Sequence, residues 1–175
     1  AVNKAFPNST DHDLNTTSFL VAHKGALIAE QYALGANSQT PLIGWSMTKS
    51  VTSTLMGLLY DRNKIRIDAP LPIKSWENSD KKAISIRHLL HMTSGLNFDE
   101  SYSGASGVTR MLYQSPAQID DILDLSLSHV PGQHFYYSTA DANLLAYVIQ
   151  TQLGGGAQDV YDFYQNELQQ HFLYI

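Results

Sequence analysis

The sequence contains no cysteine, which excludes disulfide bridges, thiolate metal ligands and cysteine nucleophiles. Basic residues are also few, since 11 Lys and Arg stand against 16 Asp and Glu and give a formal net charge of −5. Binding to a phosphate backbone requires a basic surface, so this balance argues against nucleic acid as the main partner. No apolar run approaches the roughly twenty residues of a membrane-spanning helix, and no membrane span is predicted.

The composition is otherwise that of a globular protein. Hydrophobic residues make up 43% of the chain and charged residues 15%. A length of 175 residues is enough for one domain with a sizeable core or for two small lobes. Residues 1–7 lack the apolar region of an export signal, so we expect that any such signal was removed or never present.

The apolar pattern predicts a β-hairpin followed by a mostly helical region. Residues 18–23 and 26–32 are apolar segments joined by Lys24-Gly25, a two-residue turn that ends in glycine. Helical periodicity begins at Ser46 and continues to about Tyr60. Further helices are predicted over residues 85–92, 108–113, 116–126, 140–153 and 157–174. Ser85 is the predicted cap of the first of these, and Gly95 follows as its stop.

Ser46 and Lys49, at the start of the first predicted helix, have the spacing of a nucleophile and its base. A serine hydroxyl is a weak nucleophile unless a neighbouring group takes its proton. A lysine three positions later on a helix lies beside that hydroxyl, one turn away. Because Ser46 opens the helix, free backbone N–H groups and the positive end of the helix dipole are available to stabilise an oxyanion.

Simpler interpretations of this motif have to be weighed against catalysis. The same S-x-x-K spacing recurs at residues 79–82, in a polar loop with no helix behind it. The alternative for Ser46 is that it merely caps a helix. A Ser-His-Asp triad of the α/β-hydrolase type would need a G-x-S-x-G elbow, which the sequence lacks.

Other polar pairs carry less weight. His88 and His91 lie three apart on a predicted helix, but no carboxylate stands beside them at helical spacing, and we predict no metal site. The acidic pairs Asp99-Glu100 and Asp120-Asp121 are interpreted as solvated loop and helix-start charges rather than an acid/base pair.

Three ordered segments resemble the serine β-lactamase and penicillin-binding protein superfamily. Residues 44–52, GWSMTKSVT, are similar to its nucleophile segment, for which S-x-x-K is the known motif. Residues 86–96, IRHLLHMTSGL, and residues 131–139, PGQHFYYST, resemble two further signatures of the family in the same order. The resemblance covers most of the chain and implies a β-lactamase/transpeptidase-like α+β fold. Residues 1–45 would be the hairpin part of its α/β sheet domain, and residues 46–175 the mostly helical lobe.

The resemblance also implies roles for individual residues. Ser46 would be acylated, Lys49 would assist its deprotonation, and Tyr137 would act as general base and acid. Tyr136 competes for the last role, but Ser138 follows Tyr137 as in the family pattern. Trp45 and Thr139 are the predicted substrate-binding residues. Thr139 stands where many relatives have Asn, which lowers our expectation of β-lactam hydrolysis.

The implied function is a serine hydrolase that cleaves a small-molecule amide or ester through an acyl-enzyme and uses no cofactor. Within the superfamily, the motifs GWSMTKSVT, MTSGLNFDESY and VTRMLY look closest to the esterase and 6-aminohexanoate-dimer hydrolase branch. One alternative is a D-alanyl-D-alanine carboxypeptidase acting on cell-wall peptides. Another is a non-catalytic member that binds peptides or partner proteins, although Ser46, Lys49 and Tyr137 are all present. The resemblance favours a periplasmic or exported location.

Relatives in this superfamily continue beyond the equivalent of Ile175 with further sheet strands and a third motif. We therefore expect the chain to be a truncated, cleaved or incompletely determined piece, with the missing C-terminal segment or a second chain completing the sheet. A two-stranded hairpin alone is marginally stable and offers an open edge. The 175 residues alone are expected to be inactive or nearly so, and robust turnover of a p-nitrophenyl ester would contradict this.

Overall fold

The computed structural model describes Phe6 and residues 15–170. The chain divides into two compact units, and the division lies between Trp45 and Ser46. The first unit contains the strands and the second contains the helices.

The first unit is built around the predicted hairpin. Strand β1 (Ser18–His23) pairs antiparallel with β2 (Ala26–Tyr32), with an irregularity in register between Val21 and Ala22. The turn residues Lys24 and Gly25 both have positive φ, at 50° and 80°, the conformation that matches the twist of two antiparallel strands. The hairpin prediction is therefore confirmed, down to its turn.

The second unit contains six α-helices in the described residues. They are α1 (Thr48–Asp61), α2 (Ile86–Leu90), α3 (Gly107–Tyr113), α4 (Gln118–Leu123), α5 (Thr139–Leu153) and α6 (Ala157–Tyr164). Short 3-10 turns occupy Trp45–Met47, Lys74–Trp76 and Asp80–Ala83, and a π-helical turn spans Gln165–Gln169. None of the helices in the described part of the chain is long and apolar enough to cross a membrane.

Helix α5 is at the centre of the helical unit, because α1, α2, α4 and α6 all pack against it. Its apolar face is fully buried and joins residues of α1, α2 and α4 in one core, against which partly buried residues of α6 pack; the core includes Met56, Leu59, Leu89, Ile122, Leu144, Leu145, Val148 and Ile149. Burial of each such side chain stabilises the fold by about 1.5–3 kcal/mol. The core therefore fixes where the N-terminal end of α5 lies, and that end follows Tyr137 directly.

A buried tryptophan anchors the end of α4 to the segment between α1 and α2. Trp76 is 2% exposed, and its indole N–H donates a hydrogen bond to the carbonyl oxygen of Leu123 at 3.0 Å. The ammonium group of Lys81 lies 5.0 Å from the Trp76 ring and donates to the carbonyl oxygens of Leu123 and Leu125 at 2.6 and 2.9 Å. A cation is favourable at this end of α4 because the last carbonyl groups of a helix lack intrahelical partners.

The predicted start of α2 is confirmed, but its end is not where the sequence indicates. Ser85 caps the helix by accepting from the backbone N–H of His88, and the His88 ring accepts from the N–H of Ser85 in return. The helix ends at Leu90, and Met92 rather than Gly95 takes the left-handed conformation that follows it, with φ of 54°. Gly95 (φ 78°) instead lies against the backbone of His129, where an added Cβ would come within 2.1 Å of the His129 carbonyl oxygen.

The remaining helix predictions are correct in position and differ in length. Helix α4 is confined to Gln118–Leu123 within the predicted 116–126. The last predicted helix, over 157–174, changes to π-helical hydrogen bonding after Tyr164. Phe172, predicted on the apolar side of that helix, lies outside the described residues.

Candidate active site

Ser46 lies in a 3-10 turn that leads directly into α1. The helix begins at Thr48, two residues later than predicted, and its N-cap residue is Met47, which makes no side-chain cap. The Ser46 side chain is bonded to other side chains, so the interpretation of Ser46 as a helix cap is wrong. Trp45, immediately before it, has φ of 45°, a left-handed conformation that is uncommon outside glycine and concentrates at functional sites.

Lys49 reaches back over one turn to Ser46. Its ammonium nitrogen lies 3.2 Å from Ser46 Oγ, within hydrogen-bond distance. Ser46 is exposed and Lys49 is half-buried, so the pair is open to a substrate while the lysine stem is packed. The contact predicted from the spacing of Ser46 and Lys49 in the sequence is therefore present.

Tyr137 supplies the second hydrogen bond to Ser46. Its hydroxyl donates to Ser46 Oγ at 2.8 Å, across 91 residues of sequence. The Lys49 ammonium nitrogen lies 5.1 Å from the centre of the Tyr137 ring, so all three predicted catalytic side chains converge. The competing residue, Tyr136, is directed elsewhere, because its hydroxyl accepts from the backbone N–H of Glu100 at 3.4 Å.

The turn of residues 92–96 supports the segment that carries Tyr137. The backbone N–H of Tyr136 donates to the carbonyl oxygen of Met92 at 2.9 Å, and that of Gly132 donates to Thr93 at 2.8 Å. Two of the three sequence motifs are thus joined by main-chain hydrogen bonds. These bonds explain why the second motif, which supplies no side chain to Ser46 in the described residues, matters for the position of the third.

Thr139 makes a partnership that the sequence did not indicate. Its backbone N–H and its hydroxyl donate to the two carboxylate oxygens of Glu100, at 2.7 and 2.5 Å. The interpretation of Glu100 as a solvated loop charge is therefore wrong, because its carboxylate holds the first residue of α5. A substrate contact from the Thr139 hydroxyl would have to compete with this carboxylate. Trp45, 62% exposed, stays a prediction as a substrate-binding residue.

The second S-x-x-K segment forms no comparable site. Ser79 Oγ donates to the carbonyl oxygen of Trp76 and accepts from the backbone N–H of Lys81, so it caps the short turn Asp80–Ala83. The sequence interpretation of this match as accidental agrees with that local role. In the described residues, no group of three or more His, Asp or Glu side chains is arranged to hold a metal ion.

Sequence reasoning missed a buried carboxyl group in the first turn of α5. Asp141 has no exposed surface, and its Oδ1 accepts from the Ser94 hydroxyl at 2.6 Å. Its Oδ2 is buried without a hydrogen-bond partner in the part of the chain that the structure describes. Burial raises the pKa of Asp141 to about 7, although hydrogen bonds from Ser94 and Ser138 act in the opposite direction. The available signal was its position three residues after the cap Ser138, which predicts the helix start but not the burial.

Asp141 is expected to make the stability of the chain fall as pH rises. Because the folded state holds this proton more tightly than the unfolded chain, whose aspartate pKa is 3.8, its contribution is full below about pH 4. The contribution declines from there and is lost above about pH 7, with a total on the order of a few kcal/mol. The difference in free energy of unfolding between wild type and Asp141→Asn, measured by urea denaturation from pH 4 to 8, should show this slope. A difference that does not change with pH would contradict it.

A cavity of about 400 Å³ lies behind the segment that carries Tyr137. It is lined by Met92 and residues 94–99, together with Ser128, His129, His134, Tyr136 and Ser138. The two histidine rings are stacked, with their centres 4.1 Å apart. Tyr136 and Ser138, the neighbours of Tyr137, therefore line the cavity, whereas Ser46 does not.

The family known as Beta-lactamase matches residues 2–168, nearly the whole chain. The chain belongs to this family. A solved structure from Bacillus anthracis, described as a "Putative 6-aminohexanoate-dimer hydrolase", is similar with a TM-score of 0.68 and 23% sequence identity. This match covers 82% of the chain and confirms the predicted fold class. The chain spans only 42% of the length of that protein. Among curated proteins, none is significantly similar to this chain.

Proposed function

We propose that this member of the Beta-lactamase family contributes the nucleophile of a serine hydrolase that cleaves an amide or ester through an acyl-enzyme on Ser46. The proposal is carried by one observation: Ser46 Oγ lies within hydrogen-bond distance of both Lys49 Nζ and Tyr137 Oη. A nucleophile held by two groups that can take up or return a proton is the arrangement that covalent acyl transfer needs.

The direction of these hydrogen bonds defines the step that starts the reaction. Both Lys49 and Tyr137 donate to Ser46 Oγ, so neither accepts its proton in this arrangement. One of them has to give up its own proton before it can act as the base. Ser46 Oγ then attacks the carbonyl carbon while its proton passes to that base.

The same two residues can complete the cycle. When the tetrahedral intermediate collapses, the bond to the amine or alcohol breaks and that leaving group takes the proton from Lys49 or Tyr137. A water molecule then attacks the acyl-enzyme and gives its proton to the same base; the bond from the acyl carbon to Ser46 Oγ breaks, the acid leaves, and the base returns the proton to Oγ. The dimer of 6-aminohexanoate is joined by an amide bond, so the likeness to a protein described as a "Putative 6-aminohexanoate-dimer hydrolase" is in keeping with an amide substrate.

The first test is covalent labelling of Ser46. Intact mass after exposure of the chain to a fluorophosphonate should show a single adduct, because such reagents react with activated serine hydroxyls. The Ser46→Ala variant should show no adduct. The matched control is Ser79→Ala, which removes the serine of the second S-x-x-K segment and should leave labelling unchanged. An adduct that persists in Ser46→Ala, or no adduct on the wild type, would contradict activation of Ser46 in this chain.

A further inference from the structure

The buried pair Asp141 and Ser94 joins two segments that are 47 residues apart in sequence. Ser94 is 3% exposed, and its Oγ accepts from the backbone N–H of Leu96 while it donates to Asp141 Oδ1. Asp141 in turn donates its backbone N–H to Ser138 Oγ at 3.2 Å. This chain of hydrogen bonds ends on the residue next to Tyr137.

We propose that Asp141 is a positioning residue, which holds the turn of residues 92–96 against the segment 136–138 and thereby sets where the Tyr137 hydroxyl meets Ser46. Three contacts carry this inference. The Ser94 hydroxyl holds the carboxyl group, Ser138 Oγ holds the Asp141 backbone, and the Tyr136 N–H holds the turn at Met92. Tyr137 itself is 42% exposed, so few packing contacts fix its ring. The position of the ring therefore depends on the backbone of the residues on either side.

The protonation of Asp141 controls this link. Oδ2 has no hydrogen-bond partner among the described residues, so an ionised Asp141 would bury a negative charge that the hydrogen bonds from Ser94 and Ser138 offset only in part. A neutral carboxyl group avoids most of that cost and still accepts from Ser94 through Oδ1. Ionisation strengthens the bond from Ser94, but the larger cost of burying the charge is expected to open the contact between the turn and the start of α5 to water and so to change the position of Tyr137.

Charged groups around α5 do not offset this cost. Glu100, in the loop before α3, adds a negative charge that opposes ionisation of Asp141. On the four helices that pack against α5, the charged or titratable groups with hydrogen-bond partners are engaged elsewhere, namely Lys49 with Ser46, Arg87 with Asp68, His88 with Ser85, Asp159 with Gly156 and Asp162 with Gln158. The other acidic side chains of these helices, Asp61, Asp120 and Asp121, are exposed.

The inference rests on the proposed acyl transfer for its effect on Ser46, so the test uses one readout that does not depend on it. The Tyr137 ring resonance, assigned with Tyr137→Phe in a tyrosine-labelled sample, is followed by NMR from pH 5 to 9. In the wild type the chemical shift of this resonance should change with pH, with a midpoint near pH 7, and in Asp141→Asn this change should be absent. Asp120→Asn, which removes an exposed acid on α4, should keep the wild-type titration.

A second variant guards against misfolding of Asp141→Asn. Ser94→Ala keeps the carboxyl group but removes its hydrogen-bond donor, and that bond lowers the pKa of Asp141. The midpoint of the pH-dependent change in the Tyr137 resonance should therefore move to higher pH. A Tyr137 resonance that does not titrate in the wild type, or that titrates identically in Asp141→Asn, would overturn the proposal.

The second readout is the rate of fluorophosphonate labelling at Ser46. The ratio of the wild-type rate to the Asp141→Asn rate should fall about tenfold between pH 6 and pH 8, following the protonated fraction of a group that titrates near pH 7. A ratio that is constant over this range would overturn the link to Ser46. If the wild type is not labelled at any pH, the proposed function fails, and the ring titration still decides the role of Asp141.

Discussion

Replacing Tyr137 by phenylalanine is expected to slow fluorophosphonate labelling of Ser46 by about 10²–10⁴-fold, the range that a positioned proton-transfer group contributes. The hydroxyl that donates to Ser46 Oγ at 2.8 Å is the only atom removed, and the ring that lies beside Lys49 is kept. The loss would therefore reflect the hydroxyl rather than altered packing. The measurement is the second-order rate constant for adduct formation by intact mass.

Tyr136→Phe is the matched control, because it removes the same atom from the adjacent residue. The Tyr136 hydroxyl accepts a long hydrogen bond from the Glu100 backbone and makes none to Ser46, so labelling should change by no more than about twofold. Equal losses in the two variants would show that the hydroxyl of Tyr137 has no special role. An unchanged rate in Tyr137→Phe would assign proton transfer to Lys49 alone.

The substitution Gly95→Ala is expected to destabilise the helical unit by about 3 kcal/mol or more, since overlap with backbone atoms adds to a strained conformation. A Cβ at this position would lie 2.1 Å from the carbonyl oxygen of His129. The two segments cannot easily separate, because the Gly95 carbonyl oxygen accepts from the N–H groups of Ser128 and His129. Urea or thermal denaturation of the variant measures the loss.

Gly104→Ala separates strain from overlap. Gly104 also has a positive φ, at 67°, but an added Cβ there meets no atom within 4 Å. Gly104→Ala should therefore lower the free energy of unfolding by only about 1–2 kcal/mol, the cost of a left-handed backbone conformation at a residue other than glycine. If Gly95→Ala costs no more than Gly104→Ala, the close approach of residues 95 and 129 is not important for stability.

The features that could be predicted from the sequence depend on local spacing. The Lys24-Gly25 turn, the cap at Ser85 and the contact of Ser46 with Lys49 each involve residues within four positions, where backbone geometry alone brings the groups together. Tyr137 was found differently, because its approach to Ser46 depends on the fold and was implied by the family resemblance.

The features that were missed depend on contacts distant in sequence. Asp141 is polar and follows a helix cap, so local pattern places it at a solvated helix start, whereas the turn containing Ser94 covers it. Glu100 was interpreted as solvated for the same reason, because its partner Thr139 is 39 residues away. Gly95 was assigned to the end of α2, since the approach of residue 129 that requires a glycine leaves no mark near position 95.

The environments of the two tryptophans give the chain a pair of distinguishable fluorophores. Trp76, 2% exposed and hydrogen-bonded to Leu123, is expected to be shielded from a dissolved quencher such as iodide. Trp45, exposed beside the nucleophile, is open to the same quencher. Emission that survives quenching therefore follows the docking of α4, and the quenchable part follows the turn that presents Ser46, without any label being attached to either.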